Sequence, residues 1–316
     1  MLTTFIRSLY NIKPQPAGGV MTIGNFDGIH VGHQQLIKKV VEKARILNVP
    51  SIAITFEPHP FEFFLGKDCH IPRITRLREK CYAFSENGLN HVIILTFNQH
   101  AASIIASDFV KMLCDIWHPR HIFVGDDFHF GHQREGNFQL LKKMGEELGF
   151  AADSIETVVV DGERVSSTRV RSALADAKLD LVKRLLGHPY CMLGRIREGN
   201  KLGRQLGFPT ANIALHRRLT PLMGIYIVYV HGIANLPWPG VASIGIRPTI
   251  GGASVLLEVH LLDFHRDIYG LNVRVEFCKK LRDEICFPTI DLLREKISQD
   301  IAMARKYFLK HDHGAI

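Results

Sequence analysis

The chain has 316 residues, of which 46% are hydrophobic and 22% are charged, and its formal net charge is +8 at pH 7. This balance is typical of a soluble globular protein long enough for two domains, and it excludes a membrane span because no apolar run reaches the necessary length. The positive charge indicates an anionic partner, but the basic residues are spread thinly, so a nucleotide explains the charge as well as a nucleic acid does.

From Val20 to about Gly187, short β-branched runs alternate with segments of helical periodicity. This alternation predicts an α/β domain with an open, mostly parallel sheet, in which ligands bind beyond the carboxyl ends of the strands. The predicted strands are Val20–Ile23, Ser51–Phe56, His91–Thr96, His121–Val124 and Ile155–Val160. The predicted helices are Val31–Leu47, Arg76–Asn87, Ser107–Ile116, Gly136–Leu148 and Ser167–Asp176.

The first predicted strand runs into the segment Gly24–His33, GNFDGIHVGH, which opens a helix. Its glycines allow a tight turn and the close approach of a ligand to the backbone. The N–H groups of the helix start and the positive end of the helix dipole favour a polyphosphate there. An ordinary glycine turn and a metal site at His30 and His33 are the alternatives, although no nearby Cys, Asp or Glu completes a usual metal set.

Three further segments follow predicted strands of this domain. Thr55–Pro60 is held extended by two prolines and could be an ordinary loop. Val124–Gly131 contains an acidic pair that could bind Mg²⁺, contact a ribose or form a solvated turn. Ser166–Arg171 could simply cap a helix, but its hydroxyls, N–H groups and Arg171 would also form a second phosphate cradle, because a guanidinium binds phosphate oxygens in a bidentate manner.

These four segments, in this order, resemble the GxFDGxHxGH, TFEPHP, VGxDFxFG and SSTxxR elements of bacterial FAD synthetases, whose Rossmann-like domain belongs to the nucleotidylyltransferases. The resemblance implies that the phosphate of FMN attacks the α-phosphorus of ATP and pyrophosphate leaves, by positioning and charge neutralisation. It implies catalytic roles for His30, His33 and Arg171, and a flavin site lined by Asn25 and Asp127. The residues expected to bind ATP are Gly24, Phe26, Asp27, Gly28, Gly32, Ser166, Ser167 and Thr168.

Two positions of the first domain depart from this family pattern. We expect arginine where the chain has His129 and aspartate where it has Asn137. The first difference leaves His129 without an assigned role. Neither difference changes the predicted identity of the domain, because the other motif positions match.

The second part of the chain changes to short strand-like runs separated by glycine and proline. It predicts a small antiparallel β-barrel closed by one C-terminal helix, with Pro288 and Thr289 as the stop and cap before that helix. We place the two domains at residues 1–185 and 186–316. The predicted strands are Ile225–Val230, Val241–Ile244, Leu256–Leu262 and Val273–Phe277, and the apolar stripe of the helix is Ile290, Leu293, Ile297, Ile301 and Phe308.

The segment Gly194–Asn212 contains LGFPTAN at its end. Its glycines could be ordinary barrel corners, or they could form, with neighbouring cations, a flap over phosphates. Pro209 would present Thr210 and Asn212 on one side of an extended segment, and Mg²⁺ prefers such oxygen ligands while it keeps waters and substrate phosphates. The residues of the flap expected to bind ATP are Gly199, Lys201, Gly203 and Arg204.

Glu258 lies in an otherwise apolar predicted strand, in alternation with His260. It could be a surface carboxylate, but a placed catalytic base explains it better. A general base is needed wherever an alcohol becomes a nucleophile.

Together with Gly245–Thr249 and Arg282–Glu284, these segments resemble riboflavin kinase over most of residues 188–310. The resemblance implies that Thr210 and Asn212 coordinate Mg²⁺ bound to the nucleotide. It implies that Glu258 takes the proton from the 5′-hydroxyl of riboflavin as that oxygen attacks the γ-phosphorus of ATP. Within the last segment, Arg282 and Glu284 are expected to contact the flavin.

The two halves together predict a bifunctional enzyme with two ATP sites and Mg²⁺ as cofactor, which makes FMN from riboflavin and FAD from FMN. We expect it to be cytoplasmic, because the N-terminus lacks a signal-peptide core and six cysteines form no CxxC pair. Its expected partners are riboflavin, FMN and ATP, without nucleic acid or membrane, and no pattern predicts an oligomeric state. The rivals are a nucleotidylyltransferase for another phosphate ester and a basic RNA-binding or regulatory protein, neither of which explains both motif sets.

Overall fold

The computed structural model describes residues 2–7, 18–66, 71–199, 202–249 and 252–311. Within these ranges no helix combines the length and apolar character that crossing a membrane would require. Of the residues predicted to form a site, Lys201 lies outside the described residues. The other predicted site residues lie inside them.

The chain folds as two compact units, and the division between them is not a single cut in the sequence. The stretch Pro72–Ile74 belongs to the second unit, where the guanidinium of Arg217 donates to the Arg73 carbonyl (2.7 Å) and the hydroxyl of Tyr190 donates to the Ile74 carbonyl (3.1 Å). The first unit is therefore Met1–Ile71 with Thr75–Ser167, and the second is Pro72–Ile74 with Thr168–Ile316.

The first unit is built on a six-stranded parallel sheet, and two short antiparallel ladders lie in its loops. Its strands are β1 (Thr4–Arg7), β2 (Gly19–Ile23), β3 (Ser51–Glu57), β4 (His91–Thr96), β5 (Pro119–Gly125), β6 (His129–Phe130), β7 (Gly136–Asn137), β8 (Ala151–Ile155), β9 (Val159–Val160) and β10 (Glu163–Arg164). The order β1-β4-β3-β2-β5-β8 places β2 in the interior of the sheet, and all five of its residues are buried. This parallel α/β sheet confirms the predicted Rossmann-like fold.

Apolar side chains of alternate residues in β2 enter two different cores, one on each face of the sheet. Met21 packs in the core that contains Trp117, whereas Val20 packs in the core that contains Phe84. Burial on both faces explains why the interior strands read as continuous apolar runs. The helices of this unit are α1 (Val31–Leu47), α2 (Pro60–Leu65), α3 (Leu77–Glu86), α4 (Gln99–Ser103), α5 (Ala106–Trp117) and α6 (Phe138–Leu148).

Four predicted strands of the first unit are confirmed, and the fifth is wrong. We expected it at Ile155–Val160, but the sheet strand is β8, Ala151–Ile155, and Val159–Val160 forms a separate short ladder. β8 is an edge strand with exposed polar residues such as Asp153, and these interrupt the apolar pattern that the prediction relied on. The short elements β1, α2 and α4 were also missed.

The second unit contains a closed antiparallel barrel and confirms the predicted fold class. Its strands are β11 (Cys191–Arg197), β12 (Ala211–Ala214), β13 (Gly224–His231), β14 (Trp238–Thr249), β15 (Gly252–Leu261) and β16 (Asn272–Arg282), in the order β11-β12-β15-β14-β13-β16. The first two strands were not predicted, because a glycine and two arginines interrupt the pattern of β11 and because β12 has only four residues. The helices of this unit are α7 (Ser167–Ala175, which starts at the unit boundary), α8 (Leu179–Leu186), α9 (Leu202–Gln205) and α10 (Ile290–His311).

Helix α10 begins after the predicted cap, since the hydroxyl of Thr289 accepts a hydrogen bond from the Leu292 N–H (3.3 Å). Its contact with the barrel core is made by Ala304 and Phe308, and Phe308 is 6% exposed. The predicted apolar stripe is wrong at its start, because Ile290 is 62% exposed. The packed part of the helix therefore lies nearer its C-terminal end than the spacing indicated.

Candidate functional site

The turn after β2 is fixed by the backbone and by a histidine cap. Gly24 N–H donates to the Ile54 carbonyl (3.0 Å), and the imidazole Nδ1 of His30 accepts from the His33 N–H (3.4 Å) at the start of α1. Phe26 and Ile29 have positive φ angles of 49° and 38°, in a region that is unfavourable for bulky residues. Such strained residues often cluster where a ligand binds, so the geometry supports a functional turn.

The two motif histidines stack on each other, with ring centroids 3.7 Å apart and an interplanar angle of 15°. Burial lowers the pKa of His30 to about 4, and burial together with His30 and Lys80 holds the pKa of His33 well below its usual range. Both rings are therefore neutral at pH 7. Since Nδ1 of His30 accepts a hydrogen bond, its ring proton is on Nε2, while Nδ1 of His33 is a buried polar atom without a hydrogen-bond partner.

Gly32 explains how the two rings can come so close to the helix start. A Cβ at this position would lie 3.3 Å from the His30 ring, so a larger residue would push that ring away. The ring of Phe26 contacts His33 edge-on at 5.1 Å between centroids, and Phe26 is 1% exposed. Phe26 thus supports His33 from the core.

Asp27 and Gly28 are held by a residue that the sequence did not indicate. The carboxylate of Asp27, 2% exposed, accepts from the Thr75 N–H (3.0 Å) and hydroxyl (3.3 Å), and the Gly28 N–H donates to the same hydroxyl (2.8 Å). In the structure these groups shape the turn itself. The hydroxyl of Ser167 donates to the Asp27 carbonyl (2.8 Å), which ties the serine-rich segment to the same turn.

The second phosphate cradle was predicted from Ser166 to Arg171. Ser166 and Ser167 belong to the first unit, whereas Thr168 and Arg171 lie on α7 in the second. The joint action of these residues on a phosphate stays a prediction.

The acidic pair of the fourth motif is neutralised by an arginine. One nitrogen of Arg164 lies 2.9 Å from the Asp126 carboxylate and 2.8 Å from that of Asp127, and the hydroxyl of Thr157 also donates to Asp126. Sequence reasoning missed Arg164 because it lies in another loop. This ion pair is compatible with all three uses of the acidic pair, and each of them stays a prediction.

The two residues that depart from the family pattern are neighbours. His129 and Asn137 face each other in the ladder of β6 and β7, so the expected arginine and aspartate would have formed a cross-strand ion pair. Here His129 and Asn137 take the place of that pair. Asn137 also caps α6, since its side chain accepts from the Leu140 N–H (3.0 Å), a task that Asn and Asp perform equally well.

Aromatic rings follow the TFEPHP loop and were not predicted. His59 caps α2 by accepting from the Phe61 N–H (3.2 Å), which makes it a structural histidine. Phe56, Phe63 and Phe64 contact Phe97 with ring centroids 5.5–5.8 Å apart, and Phe64 is 68% exposed. These rings follow the carboxyl ends of β3 and β4, at the sheet edge where the fold class binds ligands.

In the second unit, strand register brings the predicted kinase residues together. Glu258 on β15 lies directly opposite Asn212 on β12 and opposite Ser243 on β14. Directly paired residues have side chains on the same face about 5 Å apart. Because Leu257 and Val259 are fully buried, the row Asn212–Glu258–Ser243 lies on the outer face of the barrel.

The glycines of the flap make room for the predicted metal ligands. A Cβ on Gly199 would collide with the Asn212 amide, and a Cβ on Gly203 would lie 3.2 Å from the Thr210 hydroxyl oxygen. His260 holds the residue before Thr210, since its Nδ1 donates to the Pro209 carbonyl (2.9 Å). Arg204 lies on the adjacent short helix α9 and is exposed.

The predicted flavin residues of the barrel have different surroundings. The carboxylate of Glu284 accepts from the Ser243 hydroxyl (2.8 Å) and fills the space beside Gly245, so it adjoins the row defined above. Arg282 instead forms a buried ion pair with Asp300 of α10 (2.8 Å). Neither Ser243 nor Asp300 could be predicted as a partner, because only the fold brings them near.

Within the described residues, no cluster of three or more His, Cys, Asp and Glu side chains could hold a metal ion. A divalent cation at the barrel would be held by side-chain oxygens together with substrate phosphates. That is the ligand set typical of Mg²⁺ bound with a nucleotide. Thr210 and Asn212 fit such a site.

Comparison with known proteins agrees with both halves of the structure. A family model for FAD synthetase matches residues 12–169, and a family model for riboflavin kinase matches residues 186–308. The chain is 47% identical over 302 residues to the bifunctional riboflavin kinase/FMN adenylyltransferase of Pseudomonas fluorescens, covering 95% of this chain and 96% of that protein. The chain belongs to this family.

A second relative extends the agreement over nearly the whole length. The protein of the same name from Haemophilus influenzae is 43% identical over 304 residues, covering 96% of this chain and 98% of its own length. Among solved structures, a macrolide-efflux protein from Streptococcus pneumoniae has a TM-score of 0.80 at 29% identity and covers 96% of this chain and 99% of its own.

Family membership confirms that the chain is an enzyme with an FAD synthetase domain and a riboflavin kinase domain. The kinase match favours the bifunctional prediction over a nucleotidylyltransferase whose barrel only adds specificity. It likewise favours an enzyme over an RNA-binding protein. ATP-dependent transferases of this type normally use a divalent metal.

Proposed function

We propose that the barrel phosphorylates riboflavin to FMN and that the parallel-sheet domain adenylylates FMN to FAD, with the functional domains at residues 1–185 and 186–316. Riboflavin, FMN and ATP are the substrates, without a nucleic-acid or membrane partner, and the enzyme works in the cytoplasm. The observation that carries this proposal is the row Asn212–Glu258–Ser243 in one unit and the stacked pair His30–His33 in the other. These are two different phosphate chemistries on one chain.

In the kinase reaction Glu258 accepts the proton of the riboflavin 5′-hydroxyl as that oxygen attacks the γ-phosphorus of ATP. Its strand position supports the role, because a partly exposed carboxylate on the outer barrel face can reach a bound alcohol. Thr210 and Asn212 would hold Mg²⁺, which neutralises phosphate charge when bound. Gly199, Lys201, Gly203 and Arg204 would surround the phosphates, and Glu284, held by Ser243, would contact the flavin together with Arg282.

In the adenylyl transfer the first unit supplies position and positive potential. Gly24, Gly32 and the start of α1 leave backbone N–H groups near the stacked histidines, and Nε2 of His30 carries a proton to donate. Bound phosphate would raise the pKa of both rings, because its negative charge favours their protonated forms. Ser166, Ser167, Thr168 and Arg171 would also contact the phosphates. Phe26, Asp27 and Gly28 would shape the turn, and Asn25 and Asp127 would contact the flavin.

One experiment tests the assignment of both sites. Purified full-length protein is incubated with riboflavin, ATP and Mg²⁺, and the flavins are separated chromatographically over time. Glu258→Gln should slow FMN formation at least about 100-fold, while conversion of added FMN to FAD persists. His33→Ala should do the reverse by a similar factor.

Matched controls exclude general damage to either unit. Asp291→Asn changes an exposed carboxylate of the barrel unit, and His100→Ala removes an exposed histidine of the sheet unit. Both controls should keep both activities. Loss of both activities in a folded Glu258→Gln or His33→Ala protein would contradict the two-site proposal.

A further inference from the structure

A lysine is buried beneath the phosphate-binding turn and has no role so far. Lys80 lies on α3 and is 3% exposed. Its ammonium donates to the Asn25 carbonyl (2.6 Å) and lies 3.4 Å from the hydroxyl oxygen of Thr55. A charged group taken out of water is costly, so a lysine at such a place needs a reason.

Lys80 lies in the first turn of α3, and a side-chain hydrogen bond holds the start of this helix. The carboxylate of Glu79 accepts a hydrogen bond from the Arg76 N–H (2.7 Å) at the start of this helix. Lys80 follows Glu79 directly, so this hydrogen bond holds the helical turn that carries the lysine. Through its hydrogen bond to the Asn25 carbonyl, the lysine links the start of α3 to the turn.

Two residues of one short stretch hold the turn from both ends. Thr75 binds Asp27 and the Gly28 N–H, as described above, whereas Lys80 binds the carbonyl of Asn25. The hydroxyl of Thr55 donates to that same carbonyl (3.3 Å). The segment Asn25–Gly28 is thus clamped by contacts outside itself, which its strained residue Phe26 requires.

Lys80 also acts electrostatically on one of the motif histidines. Its field reaches His33, where it acts in the same direction as burial and favours the neutral ring. The N–H groups of the helix start and the neutral imidazoles offer only partial charges. A triphosphate or a leaving pyrophosphate carries several negative charges, and a fixed positive charge nearby stabilises them strongly where water is excluded.

We propose that Lys80 is a positioning residue for adenylyl transfer: its ammonium holds the turn Asn25–Gly28 in the shape that receives the phosphates of ATP and adds positive charge behind His33. This inference rests on the proposed function of His30 and His33. It predicts that the charge at position 80 matters to phosphate binding, and not only to the fold.

The test compares Lys80→Met, Lys80→Gln and Lys80→Arg in the full-length protein with FMN and ATP as substrates. We expect Lys80→Met to raise the KM for ATP and the inhibition constant of pyrophosphate about tenfold each, because one unit charge near a phosphate has about that effect at intermediate dielectric. The change in kcat should be smaller than the change in KM. Lys80→Arg should restore most of the loss, whereas Lys80→Gln, which keeps a donor but not the charge, should resemble Lys80→Met.

Riboflavin phosphorylation by the same protein samples reports on the barrel unit and should stay within about twofold of the wild type for all variants. Lys142→Met is the matched control, because Lys142 is an exposed lysine on α6 of the same unit. It should change neither the KM for ATP nor pyrophosphate inhibition. If Lys80→Met fails to fold, Lys80→Gln decides the question.

A folded Lys80→Met or Lys80→Gln protein with wild-type KM and pyrophosphate inhibition would overturn the inference. A loss that Lys80→Arg does not restore would also overturn it, since the charge would then not be what matters. His33→Ala distinguishes failure of the proposed function from failure of the inference about Lys80. If His33→Ala keeps adenylyl transfer, the proposed function of the turn fails, whereas if it loses activity and Lys80→Met does not, only the inference about Lys80 fails.

Discussion

The turn after β2 and the outer face of the barrel are the two sites that we propose to bind phosphate, and the chain builds them in different ways. The turn is one contiguous segment, Gly24–His33, shaped by buried contacts from Thr75 and Lys80. The barrel row joins Asn212, Glu258 and Ser243 from three strands, and only the strand register makes them neighbours. The first site can therefore be read from a motif, whereas the second depends on a fold being correct to one residue.

This difference agrees with the two chemistries. Adenylyl transfer uses FMN phosphate, a nucleophile that is already charged, so buried groups that stabilise negative charge are sufficient. Riboflavin phosphorylation begins from an alcohol, so a carboxylate with access to solvent and substrate is needed. The four predictions below test how far the two regions depend on separate interactions.

The largest effect is expected where the barrel is held to its helix. Asp300 is 2% exposed and pairs with Arg282, so Asp300→Asn would leave a largely buried guanidinium without its charge partner. We expect the barrel unit to lose about 3 kcal/mol, measured by denaturant titration with hydrogen exchange to locate the loss. Asp263→Asn is the control, because the Asp263–Arg305 pair is exposed and should contribute less than about 1 kcal/mol. Equal costs for both variants would contradict this prediction.

The next effect is a loss of folding stability at low pH, which we expect from the buried histidine His30 of the turn. The pKa of His30 is about 4 in the folded chain and 6.5 in the unfolded chain. Between these pH values the unfolded chain therefore binds a proton that the folded chain does not. Stability from this group is present above pH 6.5 and is lost as the pH falls toward 4. At pH 5 the loss is about 2 kcal/mol, which denaturant titrations at pH 7 and 5 would measure.

Replacing His30 tests whether this residue causes the acid response. His30→Gln should reduce the difference between pH 7 and pH 5, while His100→Gln, at an exposed histidine of the same unit, should leave it unchanged. Because the pKa of His33 is lowered too, part of the response should remain. An undiminished response in His30→Gln would show that His30 does not titrate as described.

A smaller effect would sharpen the view of the barrel site as one assembled from distant parts. His260→Phe keeps a ring beside Phe208 but loses the hydrogen bond to the Pro209 carbonyl. We expect the KM for ATP in riboflavin phosphorylation to rise about fivefold with little change in kcat, because one neutral hydrogen bond positions the Thr210 segment. His265→Phe, at an exposed position of the same unit, should change neither constant. A fall in kcat at constant KM would point to a chemical role for His260.

The smallest effect concerns the cross-strand neighbours His129 and Asn137 of the first unit. The double change His129→Arg and Asn137→Asp would restore the ion pair expected from the family pattern, with Asp as good a cap for α6 as Asn. A double-mutant cycle on unfolding free energy should give a favourable coupling of about 0.5 kcal/mol. Zero coupling would mean that the two side chains do not interact across β6 and β7.

The features that depend on local pattern could be predicted from the sequence. The ends of α1, the parallel sheet and the position of the GNFDGIHVGH turn follow from periodicity, glycine and the N–H groups of a helix start. The barrel class was also predictable from punctuation by glycine and proline. Thr289 was recognised as a cap for the same reason, because capping needs only the residues next to it.

What could not be predicted depends on tertiary pairing. Thr75 and Lys80 lie about fifty residues from the turn they hold. Arg164 reaches the acidic pair from another loop, and Asp300 reaches Arg282 from the last helix. Edge strand β8 was misplaced because an edge does not require the apolar pattern of an interior strand. In each case the partner is chosen by packing, which a periodicity leaves open.

The stretch Pro72–Ile74 has a practical consequence for anyone who divides this protein. Because its carbonyls accept hydrogen bonds from Tyr190 and Arg217, a fragment that starts at residue 186 lacks part of its own folded unit. A fragment that ends at residue 185 keeps the stretch but loses the side chains of Tyr190 and Arg217, which hold it. The stretch ends directly before Thr75, which contacts the turn. Single-activity enzymes would therefore be better made by inactivating one site in the intact chain than by cutting it in two.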